Sequence, residues 1–521
     1  MGRRALNARS NPPAGGDDLA ALARGGRTNF LGFLIRLAAR LPFLFIAGRI
    51  YGAEQLGRFA YAVLIVEFAA QLATLGLKRG LAQQLSSTDK PHVCVIWDGM
   101  LVAFVASAIA TVVLGLFPQA MFPNSKIYGL EWLLPLIVFA IAGSDVALAA
   151  LAYRHNVQAT VTARAIVEPW TLSIAAFAMS FVSIRDGLIF SYVLSMVAAW
   201  AASLWPLFRT YGRPRGWRPD PVSLWALARR NTPLAAADAI EWGSRRVDIA
   251  VLGIFFSPAV VGIYYVAQQV ASLPQKLKTS FDPILGPVIT QKLAEGDKKA
   301  VARQVRQVGF WIIAAQTGVA LALGIPGEAV MGLVGPHFVG GTAALVFLLA
   351  AEVIAATAAV SEAALIYVAR HRNLMISTLM IVIEVALAIA LIFAMRALSP
   401  FVPRLGEALY QSAAPAIALC LALAFASIAK ARLLSHLLGA PVSGWRWALV
   451  WAAAGATAVG WLATFIPEWG ELIFGIPIVL ATFGWIVWRR GFTHEDRMLF
   501  RKTPSLEIEL PAPGTSPTSP S

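Results

Sequence analysis

Charge is scarce in this chain, and negative charge scarcer still. Of 521 residues only 14% are charged, with 28 Asp and Glu against 43 Lys and Arg, while 58% are hydrophobic and the mean hydropathy is +0.68. That composition excludes a large soluble domain and defines an all-α polytopic membrane protein whose core is the bilayer. Cysteine is nearly absent. Cys94 and Cys420 both lie in or beside apolar runs, so neither a disulfide framework nor a CxxC metal site is available. The chain also lacks a Walker loop, an HExxH pair, a nucleophile elbow and a dinucleotide fingerprint, so it is not expected to be an enzyme or to carry a metal or cofactor. The six histidines are scattered, and His337 in GPHFVGG reads as a turn residue.

What is present is a succession of apolar runs. They fall at about 29 to 51, 57 to 77, 93 to 116, 132 to 152, 166 to 184, 188 to 208 and 234 to 256. They continue at about 260 to 282, 308 to 331, 341 to 368, 374 to 395, 408 to 429, 447 to 466 and 472 to 488, giving about fourteen spans. Loop charges test that count, because a missed helix inverts the pattern from that point on. With the N-terminus inside, the inner segments carry about 31 Lys and Arg and the outer loops about four, Lys126, Arg185, Arg396 and Arg404. The basic balance is therefore topological: it orients helices and meets anionic membrane lipid, and it implies no nucleic acid. Both termini are expected in the cytoplasm.

The first 27 residues read as a disordered basic arm and residues 491–521 as a disordered cytoplasmic tail, with no cleavable signal between the arm and the first span. Between them the chain divides into an N-terminal six-helix bundle at 28–208, a basic cytoplasmic linker at 209–231, a C-terminal six-helix bundle at 232–430 and two last transmembrane helices at 431–490. The division rests on an internal repeat. Gly48, Gly57 and Phe59 have the same spacing as Gly253, Gly262 and Tyr264, at an offset that also sets Arg40 opposite Arg245. Two parallel repeats put a substrate at their interface near the bilayer midplane.

Several charges sit inside these spans. Arg36 and Arg40, one helical turn apart in the first run, each cost about 2.5 to 3.5 kcal/mol near a bilayer centre, so a polar setting must offset them. Pairing with Glu67, Asp145, Glu168 or Asp238 satisfies them; so does an anionic ligand, because no acid lies nearby on their own helix. Asp238, Glu241, Arg245 and Asp248 form one polar stripe, in which Arg245 has acids on both sides. Gln268, Ser272, Gln275, Lys278 and Asp282 form another, with Lys276 and Lys278 following Pro274, and Glu67, Gln71, Thr74 and Lys78 a third. Arg49 and Arg58 read as snorkelling near the outer boundary, and Lys292 to Gln307 as a basic surface helix with its valines towards lipid. The candidate substrate-binding set is thus Arg36, Arg40, Arg245, Lys276 and Lys278. Glu67, Asp145, Asp238, Glu241 and Asp248 are candidates for ion pairing or for coupling to protons, sodium or membrane potential.

The chain resembles the polysaccharide transporters and O-antigen flippases of the multidrug/oligosaccharidyl-lipid/polysaccharide exporter superfamily. The resemblance is carried by Arg36 to Arg58 (RLAARLPFLFIAGRIYGAEQLGR), Ala60-Tyr61, Leu75-Gly76-Leu77, Asp248 to Gly253 (DIAVLG), Val261 to Tyr264 (VGIY) and Ser280 to Pro287 (SFDPILGP). It implies two six-helix bundles around a V-shaped central cavity, with alternating access in the inner membrane of a bacterium. The implied substrate is an undecaprenyl-pyrophosphate-linked oligosaccharide, flipped outward for lipopolysaccharide, exopolysaccharide or capsule assembly. Polysaccharide polymerase and chain-length machinery are the implied partners. In related lipid II flippases two further helices line a groove for the lipid tail. Two alternatives stay open, a multidrug cation antiporter of the same superfamily and a membrane glycan polymerase or ligase.

Overall fold

The computed structural model describes residues 41–88, 90–123, 127–154, 156–278 and 296–493. Every regular element among them is helical, as expected where hydrocarbon leaves backbone groups no partner outside the segment. The chain is already helical at Leu41, passes through wide turns over Ala47–Tyr51 and continues as α1, Gly52–Ala73. Then come α2 (Leu77–Ser86), α3 (His92–Leu116), α4 (Ile137–Tyr153), α5 (Glu168–Met179) and α6 (Gly187–Tyr211). The next group is α7 (Pro221–Gly243), α8 (Val247–Phe255), α9 (Pro258–Lys278), α10 (Lys298–Gly324), α11 (Gly327–Val334) and α12 (Thr342–Val368). The last are α13 (Arg370–Leu398), α14 (Ala413–Leu438), α15 (Ala448–Ala463) and α16 (Ile476–Ile486). Among the described residues nine helical stretches are long and apolar enough to cross a membrane, which makes this a multi-pass membrane protein.

Local chemistry sets the breaks. Between α1 and α2 the backbone turns left-handed at Leu75 and Gly76 (φ 49° and 67°), and a Cβ on Gly76 would meet the backbone nitrogen of Ala235 in α7 at 2.7 Å. At the start of α7, Asp220 accepts hydrogen bonds from the amides of Ser223 and Val222, which hold its carboxyl below the ordinary carboxylate value. The last residues assigned to the linker are therefore the first turns of this helix. Gly439, with φ 66°, closes α14.

Two expectations about surface charge are corrected. Residues 298–307 begin α10, and Val301 and Val305 face the protein core, because the 3.6-residue period that carries the apolar run onward has already started there. Arg58 does not snorkel: it is largely covered and paired with the buried Glu131 at 2.5 Å, with its guanidinium over the Phe122 ring. Arg49 instead donates to the carbonyl of Leu333 in α11.

One apolar core runs from Phe43 to Ala418 and joins the helices before the linker to α8, α9, α11 and α12. A second, built from α10, α12, α14, α15 and α16, anchors the last helices. The repeat glycines lie where helices of the first core cross. A Cβ on Gly57 would strike the carbonyl oxygen of Pro258, one on Gly262 the carbonyl oxygen of Ala53, and one on Gly253 the ring of Tyr61. Thus α1 and α9 approach backbone to backbone at related positions of the two repeat motifs. Overpacking this crossing costs about 1 to 3 kcal/mol. Gly57→Val and Gly262→Val are expected to lower the unfolding midpoint of the protein in detergent, whereas Gly115→Ala, which faces open space, is not.

Candidate substrate cavity and the ion pairs around it

Helical periodicity on three helices builds one wall each of a cavity of about 280 Å³. On α9 the lining residues are Gln268, Gln269, Ala271, Ser272 and Gln275, on α12 Leu348, Glu352, Ala355, Ala356, Ala358, Ala359 and Glu362, and on α14 Leu419, Leu423, Ala426, Ser427 and Lys430. Each set recurs at three or four residues, so each is one helix face. Gln316 of α10, Ser377 and Met380 of α13, and Ser244, Arg245 and Arg246 at the break between α7 and α8 complete it. Alanines leave the volume open, while amides, hydroxyls and charges give it polarity. The described lining comes entirely from helices after the linker, where the repeat had suggested a site shared by both halves.

The charges around this cavity are mostly matched. Lys430, 5% exposed, donates to Glu362 at 2.9 Å. Arg246 lies over the Trp242 ring and reaches across to Glu67 of α1 at 2.5 Å, while Tyr192 of α6 donates to the same carboxylate at 2.8 Å. This pair ties the helices before the linker to those after it. Arg79 makes a second tie, to Asp238 at 3.0 Å and Glu241 at 2.7 Å. Within the first group Arg164 holds both Asp145 and Glu168 and also donates to Ser144. The exposed member of the lining is Arg245, which has no ion-pair partner among the described residues.

The expected polar stripes fare differently. Ser244 to Arg246 interrupt the helix, so Asp238 and Glu241 turn to Arg79, Arg245 to the cavity and Asp248 inward. The neighbours expected to satisfy Arg245 are thus engaged elsewhere. Asp248 is buried and accepts from the Tyr264 hydroxyl at 2.7 Å, the Ile249 amide at 2.8 Å and the Gln268 amide at 3.0 Å, which orients Gln268 at the cavity wall. The α9 stripe does line the cavity as far as Gln275; the side chains of Lys276 and Lys278, and Asp282, lie outside the described residues, as do Arg36 and Arg40. Sequence reasoning overlooked Lys430 and Gln316. Lys430 had read as a loop charge, yet α14 runs eight residues beyond it to Leu438, and Gly439 is the signal that places the end there. Glu384 on α13 is 1% exposed, and neither carboxyl oxygen has a hydrogen-bond partner among the described residues.

Solved structures share this architecture. The lipid II flippase MurJ in an inward closed conformation matches with a TM-score of 0.66 at 11% identity, over 91% of this chain and 100% of that one. An inward-facing multidrug resistance MATE family transporter of the MOP superfamily matches with a TM-score of 0.60 at 14% identity, over 78% and 98%. A MOP superfamily transporter from Pyrococcus furiosus matches with a TM-score of 0.53 at 14% identity, over 80% and 96%. The fold is that of the MOP superfamily transporters. The family model for polysaccharide biosynthesis protein matches residues 23–292, more than half of the chain, and the protein belongs to that family. No curated protein matches it.

The pair between Glu67 and Arg246 should be measurable. In a double-mutant cycle of Glu67→Gln and Arg246→Gln on unfolding stability, a coupling of about 0.5 to 3 kcal/mol is expected. A coupling near zero would remove this tie between the two helix groups.

Proposed function

We propose that this protein is a flippase that moves an undecaprenyl-pyrophosphate-linked oligosaccharide from the cytoplasmic to the periplasmic leaflet of a bacterial inner membrane. In this reading the chain crosses the membrane about fourteen times, with both termini cytoplasmic. Six-helix bundles at 28–208 and 232–430 rock about a central cavity, and 431–490 forms an appendix. Membership of the polysaccharide biosynthesis family and the MOP fold support it, and MurJ supplies a structural relative that is a lipid flippase.

The observation that carries the reading is the distribution of charge. Glu67, Asp145, Glu168 and Asp238, the acids able to satisfy Arg36 and Arg40 in a purely structural role, each have a basic partner of their own. Arg245 at the cavity is likewise left to a ligand. Arg36, Arg40 and Arg245, with Lys276 and Lys278, then hold the pyrophosphate in charge-assisted hydrogen bonds while the polyprenyl tail stays in lipid. An inside-negative potential favours outward movement of that anion by about 2.3 kcal/mol per charge per 100 mV. Coupling to protons falls in this reading to Glu384, since an unpaired carboxylate buried in an apolar span must take up a compensating positive charge.

Two experiments test the assignment. Cells carrying Arg40→Ala or Arg245→Ala should accumulate lipid-linked oligosaccharide on the cytoplasmic side, and normal export by both variants would refute the binding role. In proteoliposomes Glu384→Gln, neutral and nearly isosteric, should retain transport but lose its response to an imposed pH gradient; an unchanged response would sink the coupling role.

A further inference from the structure

Positive charge gathers a second time in the loop between α6 and α7, well apart in sequence from the residues that line the cavity. Arg209 ends α6, and Arg213, Arg215 and Arg218 follow within the loop, all of them exposed. The three loop arginines have no ion-pair partner among the described residues. The acid that the loop contains, Asp220, is spent on capping α7 through the amides of Ser223 and Val222. The acid that it touches, Asp98 of α3, accepts from the Trp217 indole at 2.8 Å. The loop thus presents a net positive surface that the protein's own carboxylates leave uncompensated.

The loop is a strap pinned at both ends. Before it, the Tyr211 hydroxyl donates to the carbonyl of Ala150 at 2.7 Å, with the Arg154 guanidinium over the Tyr211 ring. After it, Trp217 packs on Trp97 of α3, ring centroids 6.0 Å apart, besides its bond to Asp98. Between the pins Gly212 and Gly216 take positive φ, 76° and 68°, and Pro214 restricts the backbone between them. Arg213 and Arg215 therefore stand on ordered backbone, which has little freedom left to lose when a ligand binds. The level of the strap follows from its neighbours. The exposed residues Leu194, Val197, Trp205 and Phe208 recur at helical spacing along α6, a helix long and apolar enough to cross a membrane, and this stripe ends one residue before Arg209. On the far side Val222 and Trp225, 76% and 71% exposed, lie one turn apart on α7. Tryptophan beside arginine is the pairing that settles at a membrane surface, rings in the acyl boundary and guanidinium groups among headgroups.

We propose that this strap is a docking site for anionic phospholipid headgroups of the leaflet it faces, with Arg213, Arg215 and Arg218 on the phosphates and Trp205, Val222 and Trp225 in the acyl boundary on either side. A soluble acidic partner would satisfy the arginines but leave Val222 and Trp225 in water, whereas a lipid surface accommodates both. The proposal does not depend on what the cavity carries.

The test uses the full-length protein in a mild detergent, titrated with fluorescent phosphatidylglycerol and with phosphatidylethanolamine of the same chains. The wild type should bind phosphatidylglycerol about tenfold more tightly, the order expected for a few basic residues at an anionic surface. Arg213→Gln, Arg215→Gln and Arg218→Gln together should remove most of that preference and leave phosphatidylethanolamine binding unchanged, which also reports that the variant is folded. Taking three exposed charges from the start of α10 instead, with Lys298→Gln, Lys299→Gln and Arg303→Gln, should leave the preference intact. Equal binding of the two lipids by the wild type, a preference that survives in the strap variant, or an equal loss in the α10 variant overturns the docking site. Displacement of the lipid by excess soluble glycerol phosphate overturns it too, since the strap would then be a site for free phosphate.

Discussion

A charge placed within an apolar helix bundle has to find its opposite, and this chain has too few acids for its bases. Most of the structure around the cavity follows from that constraint. Most pairings tether separate helical segments: Arg58 to Glu131, Arg164 to Asp145, Arg246 to Glu67, Arg79 to Asp238 and Glu241, and Lys430 to Glu362, while Arg164 also holds Glu168 one turn along its own stretch. Ion pairs of this kind contribute little net stability, because desolvation offsets much of their attraction. Their larger effect is on arrangement: a helix moved by one turn would strand a charge. Once the acids are committed, Arg245 stands apart at the cavity and Glu384 stands alone in α13.

Helix α1 links this electrostatic scheme to packing. At Gly57 it touches α9 backbone to backbone, and ten residues later, about 15 Å along the axis, Glu67 takes Arg246 from the other side of the helix break. The two contacts are physically different. The glycine crossing is apolar, depends on close approach and weakens steeply with any separation. The ion pair lies in a half-exposed setting where water can replace either partner, so it can open at modest cost. A rocking motion about α1 would therefore meet a short-range seal at one level and an exchangeable polar latch at another.

Much of this was legible from residues alone. Apolar run lengths located nearly every long helix, and Gly57 and Gly262, singled out by spacing, turned out to touch each other. The α9 stripe was also legible, since Gln268, Ser272 and Gln275 share a wall of the cavity. What failed were inferences that needed to know where a helix breaks. The stripe from Asp238 to Asp248 presumed one continuous helix, but Ser244 to Arg246 unwind it, and residues on either side face different neighbours. Lys430 was lost for the reverse reason: an apolar run ended, yet the helix did not. Tertiary pairing was beyond reach as well. Nothing local joins Arg246 to Glu67, 179 residues away, since several acids competed for each arginine and only packing selects among them.

The same accounting of charge separates the remaining transport readings. A cation antiporter needs an acid that is available to its substrate, and in the cavity Glu362 is held by Lys430 while Glu352 is engaged. Asp248 is turned inward to Tyr264 and Gln268, and Glu384 does not line the cavity at all. An organic cation entering there would meet Arg245 and Arg246 before any uncommitted carboxylate, and each guanidinium would raise its energy in a site of low dielectric. A phosphate-bearing substrate meets the opposite balance. It would bring the negative charge that the chain itself is short of.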